Sequence, residues 1–436
     1  MTTNLTADRF GTPTNAKKYT LAVWFKLTKN NRHKILSYNY GSGNIGIVVE
    51  VRTNDQTFRV NEYIPGSDRY DVRTYRALRD YGAWYHAVVA YDSTQSTAAD
   101  RVKIYINGVQ QTSFAASSYP SQDLDSFISA TPNNNKGFII GASYNSSGNI
   151  DATNYFCGYM SQYIFVDGTA YAPSTFGSTD SNGVWVPNAS PSVTYGTNGF
   201  KLEMKNSGAS AAAGNFGADT SGNNLGTNPT TKDSPTNVFA VMNSNSIFPN
   251  STPIITDAGL KTQSQSTSGA GLCSTIAVSA GKWYAEGKIG SGSTLEVGAV
   301  DIGSHAFATK GTAANSIGYN YGGGIGVNNS NVQTGVGTFT AGDIIGIALN
   351  MDSATGTVTF YKNGSAVGSP QNFTTSKPQF AAFYMQSHTS SGNQSVEWNY
   401  GNPNFAIASG NADANGYGNF EYAVPSGYYG RIYNNQ

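Results

Sequence analysis

Carboxylates are the first residues to weigh for chemistry, because glycoside cleavage needs two of them about 5–10 Å apart across a cleft. Glu50, Glu62, Glu286 and Glu296 are scattered singles. Glu286, in KWYAEGKI, alternates with apolar neighbours and reads as a solvent-facing strand position. The four histidines, His33, His86, His305 and His388, show no metal-ligand spacing, and no Cys or acidic cluster accompanies them. His86 falls inside WYHAVVAYD, where a structural role is the simpler reading. The run Gly322–Gly326 lacks the following helix and the Lys-Ser/Thr of a phosphate loop, so a turn between strands is expected. No nucleophile-elbow pentapeptide stands out. The residues argue for a non-enzymatic protein.

Binding chemistry is better represented. Sugars stack on aromatic faces while Asn and Asp orient their hydroxyls. Tyr144 and Tyr155 flank an Asn/Ser-rich loop that carries Asn145, Asn149, Asp151 and Asn154, and these six form the first candidate patch. Tyr319 and Tyr321, within the polar stretch 319–329, form the second. Tyr38, Tyr40, Tyr63, Tyr70 and Tyr75 are further aromatic candidates in the same half as the first patch. Tyrosine is also favoured in strands and at protein contacts, so subunit packing ranks ahead of sugar binding for any single one. Recognition is expected in loops at one end of a domain, because loops vary without changing the fold.

These side chains need elements to position them, and the elements are strands. The chain uses one phrase twice. Trp84–Gly108 and Gly342–Gly364 each read as an apolar strand, an Asp-led turn, an alternating strand and then Asn-Gly, which tolerates the positive φ of tight hairpins. Short strands divided by Gly, Asn and Asp continue through both halves, and no segment holds a helical period beyond two turns. Asp71–Asp80 is the best short helix candidate and reads equally well as a strand. The fold class is therefore all-β: two β-sandwich domains in tandem, joined by a turn-rich segment. The expected domains are residues 1–205, a connecting segment 206–255, a second sandwich 256–405 and a Tyr-rich tail 406–436. Trp24, Trp84, Trp283 and Trp398 lie on predicted strands and are assigned to the cores. The tail is too short for a core of its own and should dock on its own or a neighbouring sandwich.

Composition narrows the partners. Charged residues make up only 12% of 436, with 26 basic and 26 acidic, so no cationic surplus exists to neutralise a nucleic-acid backbone. No window approaches about 18 consecutive apolar residues, so no membrane insertion is expected. The N-terminal stretch shows no signal-peptide pattern. Two cysteines, Cys157 and Cys273, fall in different halves and read as core thiols.

Residues Asn4–Met204 resemble a laminin G-like (concanavalin A-like) jelly roll, through YTLAVWFKL, WYHAVVAYD, KIYINGVQ, FCGYMSQYIFVDG, APSTFG and FKLEM in order. Leu260–Phe405 resembles the SPRY family, also a concanavalin A-like sandwich, through GKWYAEGKI, GDIIGIALNMDSATGTVTFYKNG, PQFAAFYM and SVEWNYGNPNF. The pairing, with DSPTN at Asp233–Asn237 and Tyr-x-x-Pro-x-Gly-Tyr at Tyr422–Tyr428, resembles tailed-bacteriophage virion proteins, mostly tail fibres or structural components. The ending RIYNNQ departs from the Leu-Cys-containing close of that pattern. The resemblance implies a virion protein at the particle surface, in a tail or appendage, made in the host cytoplasm. It also implies assembly with other virion proteins as a homo-oligomer, a trimer by analogy, and an expected host-surface glycan or receptor as ligand. The alternative it leaves open is a head decoration or tail adaptor. The Glu-x-Asp-x-x-Glu of related glucanases is absent. No cofactor is expected. The resemblance offers Ca2+ as the one alternative, with Asp92, Asp100, Asp151 and Asp167 as loop candidates, but no ordered oxygen-ligand loop singles them out.

Overall fold

The computed structural model describes residues 5–7, 11–39, 46–130, 137–145, 149–151, 154–202, 204, 233–248, 252–265, 271–291, 294–302, 316–328, 330–373, 378, 380–387 and 394–430. Among the described residues strand accounts for 51% and helix for 4%, which places the fold in the all-β class. Contacts divide it into two compact units, Met1–Thr230 and Asn237–Gln436, with residues 231–236 shared between them.

The first unit is built from β1 (Leu5–Ala7), β2 (Lys18–Leu27), β3 (His33–Asn39), β4 (Gly46–Val51) and β5 (Thr57–Ile64). Then come β6 (Ser67–Ala77), β7 (Trp84–Asp92), β8 (Val102–Ile106), β9 (Val109–Gln110) and β10 (Phe114–Ser118). It closes with β11 (Phe138–Ile140), β12 (Gly158–Asp167), β13 (Gly177–Thr179), β14 (Trp185–Pro187) and β15 (Phe200–Leu202). A seven-stranded sheet, β1-β11-β3-β4-β5-β6-β10, belongs with a six-stranded one, β15-β12-β2-β7-β8-β9. Alternate side chains of both sheets interdigitate in one core, including Leu21, Val23 and Phe25 of β2 with Leu36, Val49, Val60 and Val72. Of the stretch Asp71–Asp80, residues 71–77 lie on β6 and 78–80 follow it without regular structure: Tyr70, Val72 and Thr74 are buried at alternate positions, the first two paired with β5 and Thr74 with β10, a period of two that no helix satisfies. The far face of the six-stranded sheet carries Ala22, Val88, Ile164 and Val166, and they pack with Phe176, Tyr171 and Tyr195 from the segment around the β13–β14 hairpin. There Trp185 donates from Nε1 to Nδ1 of His86 at 3.0 Å, while His86 stacks on Trp24.

The second unit contains β16 (Met242–Ile247), β17 (Ile254–Thr256), β18 (Lys261–Gln263), β19 (Gly271–Ser274) and β20 (Lys282–Ser291). It continues with β21 (Leu295–Asp301), β22 (Ser316–Asn320), β23 (Ile325–Val327), β24 (Ser330–Gln333) and β25 (Ile344–Asn350). The last strands are β26 (Thr357–Lys362), β27 (Ser365–Asn372), β28 (Ala381–Ser387), β29 (Ser395–Asn399) and β30 (Tyr429–Gly430). One sheet runs β16-β19-β28-β21-β22-β23-β24, and the other β17-β18-β29-β20-β25-β26-β27 with β30 attached to β20. Ring contacts such as Tyr319 on Phe360, 5.7 Å between centroids, join the two layers.

The repeated phrase forms the same device in both units. β7 pairs with β8, and β25 with β26. The Asn-Gly that follows sits at positive φ, 50° and 77° at Asn107-Gly108, 48° and 81° at Asn363-Gly364. Each Asn also exchanges hydrogen bonds with the first strand. Oδ1 of Asn107 accepts from the His86 N–H at 2.8 Å, and Oδ1 of Asn363 from the Ile344 N–H at 2.9 Å. The four tryptophans assigned to the cores, Trp24, Trp84, Trp283 and Trp398, are buried, between 0% and 7% exposed, while the fifth, Trp185 on β14, is half-buried. Both cysteines are free thiols, and burial pushes the Cys273 thiol up to about 12, which keeps it protonated and unreactive.

Glu286 corrects the sequence reading. Its parity on β20 is as expected, with Ala285 facing one side and Tyr284 and Glu286 the other. That second face is not open to solvent. Residues 405–430 lie over it, and Glu286 is wholly buried. Its carboxylate accepts from the N–H groups of Glu421 and Tyr422, both at 2.9 Å, and from Asn399 Nδ2 at 3.0 Å. Burial raises its pKa, opposed by those same donors. Around it Phe420 packs on Tyr284 and Ala348, with Tyr428 and Val424 beside them, and β30 pairs in parallel with β20. The tail thus docks on its own sandwich.

Two outcomes follow from this architecture. Residues 239–242 (Phe, Ala, Val, Met) are 0% exposed in the second unit and β16 is a strand of its sheet. Burying Phe239, Val241 and Met242 contributes about 1.5–3 kcal/mol each, comparable in sum with a domain's net stability. A fragment 231–436 should therefore melt cooperatively by circular dichroism, whereas one starting at 256 should melt far lower or precipitate; equal melting of the two would refute this account. Glu286→Ala orphans buried donors and should cost at least about 2 kcal/mol in urea unfolding while speeding proteolysis within 406–430. An unchanged cleavage pattern would show that the tail is held by its aromatic contacts alone.

Candidate binding cleft

The outer face of the seven-stranded sheet is polar, and its register sorts it into cross-strand rows. Directly opposed residues share a face. Lys34, Glu50, Arg59 and Arg73 form one row across β3–β6. Ser37, Val48, Asn61 and Asp71 form the next. Asn39, Gly46, Tyr63 and Asp68 form the third. Gly46 places no side chain between Asn39 and Tyr63, and a Cβ there would stand 1.7 Å from the Tyr38 carbonyl oxygen. The third row is hollow at its centre for that reason.

A concavity of about 360 Å³ opens over these rows. Its floor is Ser37, Asn39, Gly46, Val48 and Asn61, and its walls include Tyr63, Asp68, Tyr144, Asp151 and Asn154. The size falls within the range of about 300–1,000 Å³ typical of small-ligand sites.

The charged row is closed on itself. Arg32 grips Glu50 with two hydrogen bonds, 2.7 and 2.9 Å, and Lys34 lies 2.6 Å from the same carboxylate. Arg59 binds Asp71 at 2.7 and 3.0 Å and Asp68 at 3.1 Å. Burial alone would raise the pKa of Glu50, but the Arg32 hydrogen bonds and the Lys34 charge outweigh it and bring it down to about 2. Such a carboxylate is neither a proton donor at neutral pH nor an effective base.

The uncharged floor is the opposite case. Ser37, Asn39 and Asn61 are 4%, 4% and 2% exposed. The Ser37 hydroxyl, both polar atoms of the Asn39 amide and Oδ1 of Asn61 find no hydrogen-bond partner within the protein. Only Nδ2 of Asn61 is engaged, donating to Asp68 at 3.0 Å. Buried polar atoms are nearly always paired, so a cluster of orphans on a cleft floor calls for an explanation.

The first expected patch joins this cleft in part. Tyr144, Asp151 and Asn154 line it. Asn145 and Asn149 instead close the small loop on itself, through Asn145 N–H to the Asn149 carbonyl at 2.7 Å and Asn149 N–H to Asn145 Oδ1 at 3.0 Å. Tyr155 is half-buried and is not among the lining residues. The second patch separates. Tyr321 is 39% exposed on the β22–β23 turn, but Tyr319 is wholly buried between Phe339 and Phe360, with its hydroxyl donating to the Gly337 carbonyl. Its ring faces the sandwich interior and is closed to a ligand. Tyr38 and Tyr70 are likewise core residues, while Tyr40 lies outside the described residues. Ser37, Asn39, Gly46 and Asn61 were missed because they sit on strands rather than in a loop. The available signal was uncharged polar residues at alternate positions of HKILSYN and TFRVNEY.

The aspartates considered for calcium are already engaged. Asp92 pairs with Lys18 and accepts from Thr94 and Gln95. Asp100 pairs with Lys103. Asp167 accepts from the Thr14 and Asn198 N–H groups, and Asp151 from Asn154. Among the described residues no three His, Cys, Asp or Glu side chains gather into a cation site. No helix among them is long and apolar enough to cross a membrane.

Acid titration should expose the charged row. The Glu50 carboxyl lies near 2 in the fold against an ordinary 4.5, so its pairing stabilises fully above pH 4.5 and is lost as pH falls toward 2. His33 and His86, which burial lowers from 6.5 to about 4 and about 3, add a loss that begins below pH 6.5. The urea midpoint of Glu50→Gln should therefore lie well below that of the parent at pH 7 and converge on it toward pH 2. A gap independent of pH would contradict the ionised assignment.

Comparison with known proteins agrees with this architecture. Residues 2–169 match the family model described as the concanavalin A-like lectin/glucanases superfamily, and residues 282–403 match the SPRY domain model. Solved structures with similarity include the SPRY domain of human HERC1, at 20% identity over 35% of this chain and 96% of that one, TM-score 0.30. Another is the native heptameric SAP-like pentraxin from Limulus polyphemus, at 16% identity over 39% of this chain and 68% of that one, TM-score 0.27. No curated protein matches the sequence. Sheet topology and both family models agree that the chain carries a concanavalin A-like domain followed by a SPRY domain, two β-sandwiches in tandem.

Proposed function

We propose that this chain is a non-enzymatic bacteriophage virion protein, a tail-fibre or appendage component whose first sandwich binds a glycan or receptor on the host surface. The cleft carries the binding part of this reading, because its floor holds buried hydrogen-bonding groups that the protein leaves unmatched. The phage part rests on the pairing of the two domains with DSPTN and the Tyr-x-x-Pro-x-Gly-Tyr tail. The absence of catalysis rests on Glu50, held ionised by its cations, and on Asp68, tied to Arg59 and Asn61. Neither is free to serve as half of an acid–base pair.

The assembly we infer is a homo-oligomer, a trimer by the same resemblance. The aromatic tail adds no support for it, since Phe420 and Tyr428 pack on their own sandwich.

The test is the position of the chain on the particle, together with binding by the isolated protein. Labelled full-length chain should attach to host cells and compete with particle adsorption, and imaging should place it at the tail tip or an appendage. Density spread over the capsid lattice, with no cell binding, would replace this reading with a decoration role.

A further inference from the structure

We propose that the cleft of the first sandwich takes an uncharged, hydroxyl-rich sugar and that Asn39, Ser37 and Asn61 read its hydroxyl groups. This rests on the reading of the cleft as the binding site and names the ligand class and the selecting residues.

The orphaned atoms define what would satisfy them. Asn39 presents a donor and an acceptor, Ser37 a hydroxyl that can be either, and Asn61 an acceptor. A sugar hydroxyl is donor and acceptor at once, so adjacent hydroxyls can meet this mixed set of groups from two neighbouring rows, whereas an ion of one sign cannot. Two carboxylates on the same side, Asp68 and Asp151, add acceptors only. Tyr63 and Tyr144 supply flat apolar area at the walls.

Charge selects in the same direction. Arg32, Lys34 and Arg59 are the cations that line the cleft, and each is paired with Glu50, Asp68 or Asp71 at 3.1 Å or less. An anionic sugar would have to break those pairs to gain a partner. A peptide laid as an added strand is disfavoured by geometry, because the cleft lies over a sheet face whose strands β3, β4 and β5 already pair on both edges.

This assignment predicts a trade between binding and stability. An amide buried without partners destabilises the fold, so a side chain of similar shape without polar atoms should be tolerated there. Asn39→Leu should keep or raise the melting temperature while weakening sugar binding at least about tenfold. A merely structural Asn39 would lose stability instead.

The experiment uses the full chain and a panel of methyl glycosides: neutral hexoses, a 6-deoxyhexose, an N-acetylhexosamine, a glucuronide and a sialoside. Side-chain amide resonances of Asn39 and Asn61 report occupancy, and Asn61→Leu provides a second variant should Asn39→Leu fail to fold. Support is a saturable shift of both amides by at least one neutral glycoside, no tighter binding by the acidic ones, and loss of the effect in the folded variant. Tighter binding of the acidic sugars, undiminished binding by the variant, or no movement of either amide with any neutral glycoside at saturation would overturn the proposal. Host-cell attachment is scored separately on the same protein. Cells bound by a chain whose amides stay unmoved would preserve host attachment and reject this ligand, and a host-derived peptide moving the amides where no glycoside does would reject it equally.

Discussion

A strand in a sandwich has two faces, and only one of them goes into the core. What becomes of the other face governs most of this protein. An outward row of backbone-spaced side chains must be solvated, covered or paired, because polar groups removed from water without partners cost stability. Three sheets resolve the problem differently. The six-stranded sheet of the first unit packs its apolar outer face with Phe176, Tyr171 and Tyr195. The β20 sheet of the second unit is covered by the C-terminal tail, fastened at Glu286. The seven-stranded sheet of the first unit is left polar, and there the cleft forms.

Glu286 and Glu50 show how differently a buried carboxylate can be accommodated. Glu286 is served by neutral donors, two backbone N–H groups and an amide, and burial still raises its pKa. Glu50 is met by Arg32, Lys34 and Arg59, and its pKa falls to about 2. The first holds a chain segment in place. The second gathers cations that would otherwise confer an anion site on the sheet face. Breaking either arrangement by removing one partner would leave a buried charge or donor unmatched, which is the expensive outcome.

The cleft floor departs from both solutions. Two rows of the same sheet lie side by side, one whose Lys34, Glu50 and Arg59 are matched by opposite charges, the other with amide and hydroxyl groups unmatched. Gly46 deepens the hollow because nothing larger fits against the Tyr38 carbonyl. Local disagreement with the rule that buried polar groups are paired concentrates at functional sites, where a ligand completes the pairing.

Sequence alone determined the fold class and much of the packing. Period-two alternation and turn residues require strands whatever the partner, so both sandwiches, the repeated Asn-Gly device and the four core tryptophans were legible. The parity of Glu286 was legible too. Its burial was not, since a period of two says which face a residue occupies and nothing about a segment that arrives 135 residues later in the chain. The same limit applies to the site. The loop 144–155 was found by composition, and three of its six residues line the cleft. Ser37, Asn39 and Asn61 come from strands in which each looks like an ordinary outward polar residue. Only the register of β3, β4 and β5 sets them along one floor, and only tertiary burial leaves their polar atoms without partners. Tyr319 went the other way: a tyrosine beside a polar turn looks exposed in sequence, but strand parity on β22 turns it inward onto Phe339 and Phe360.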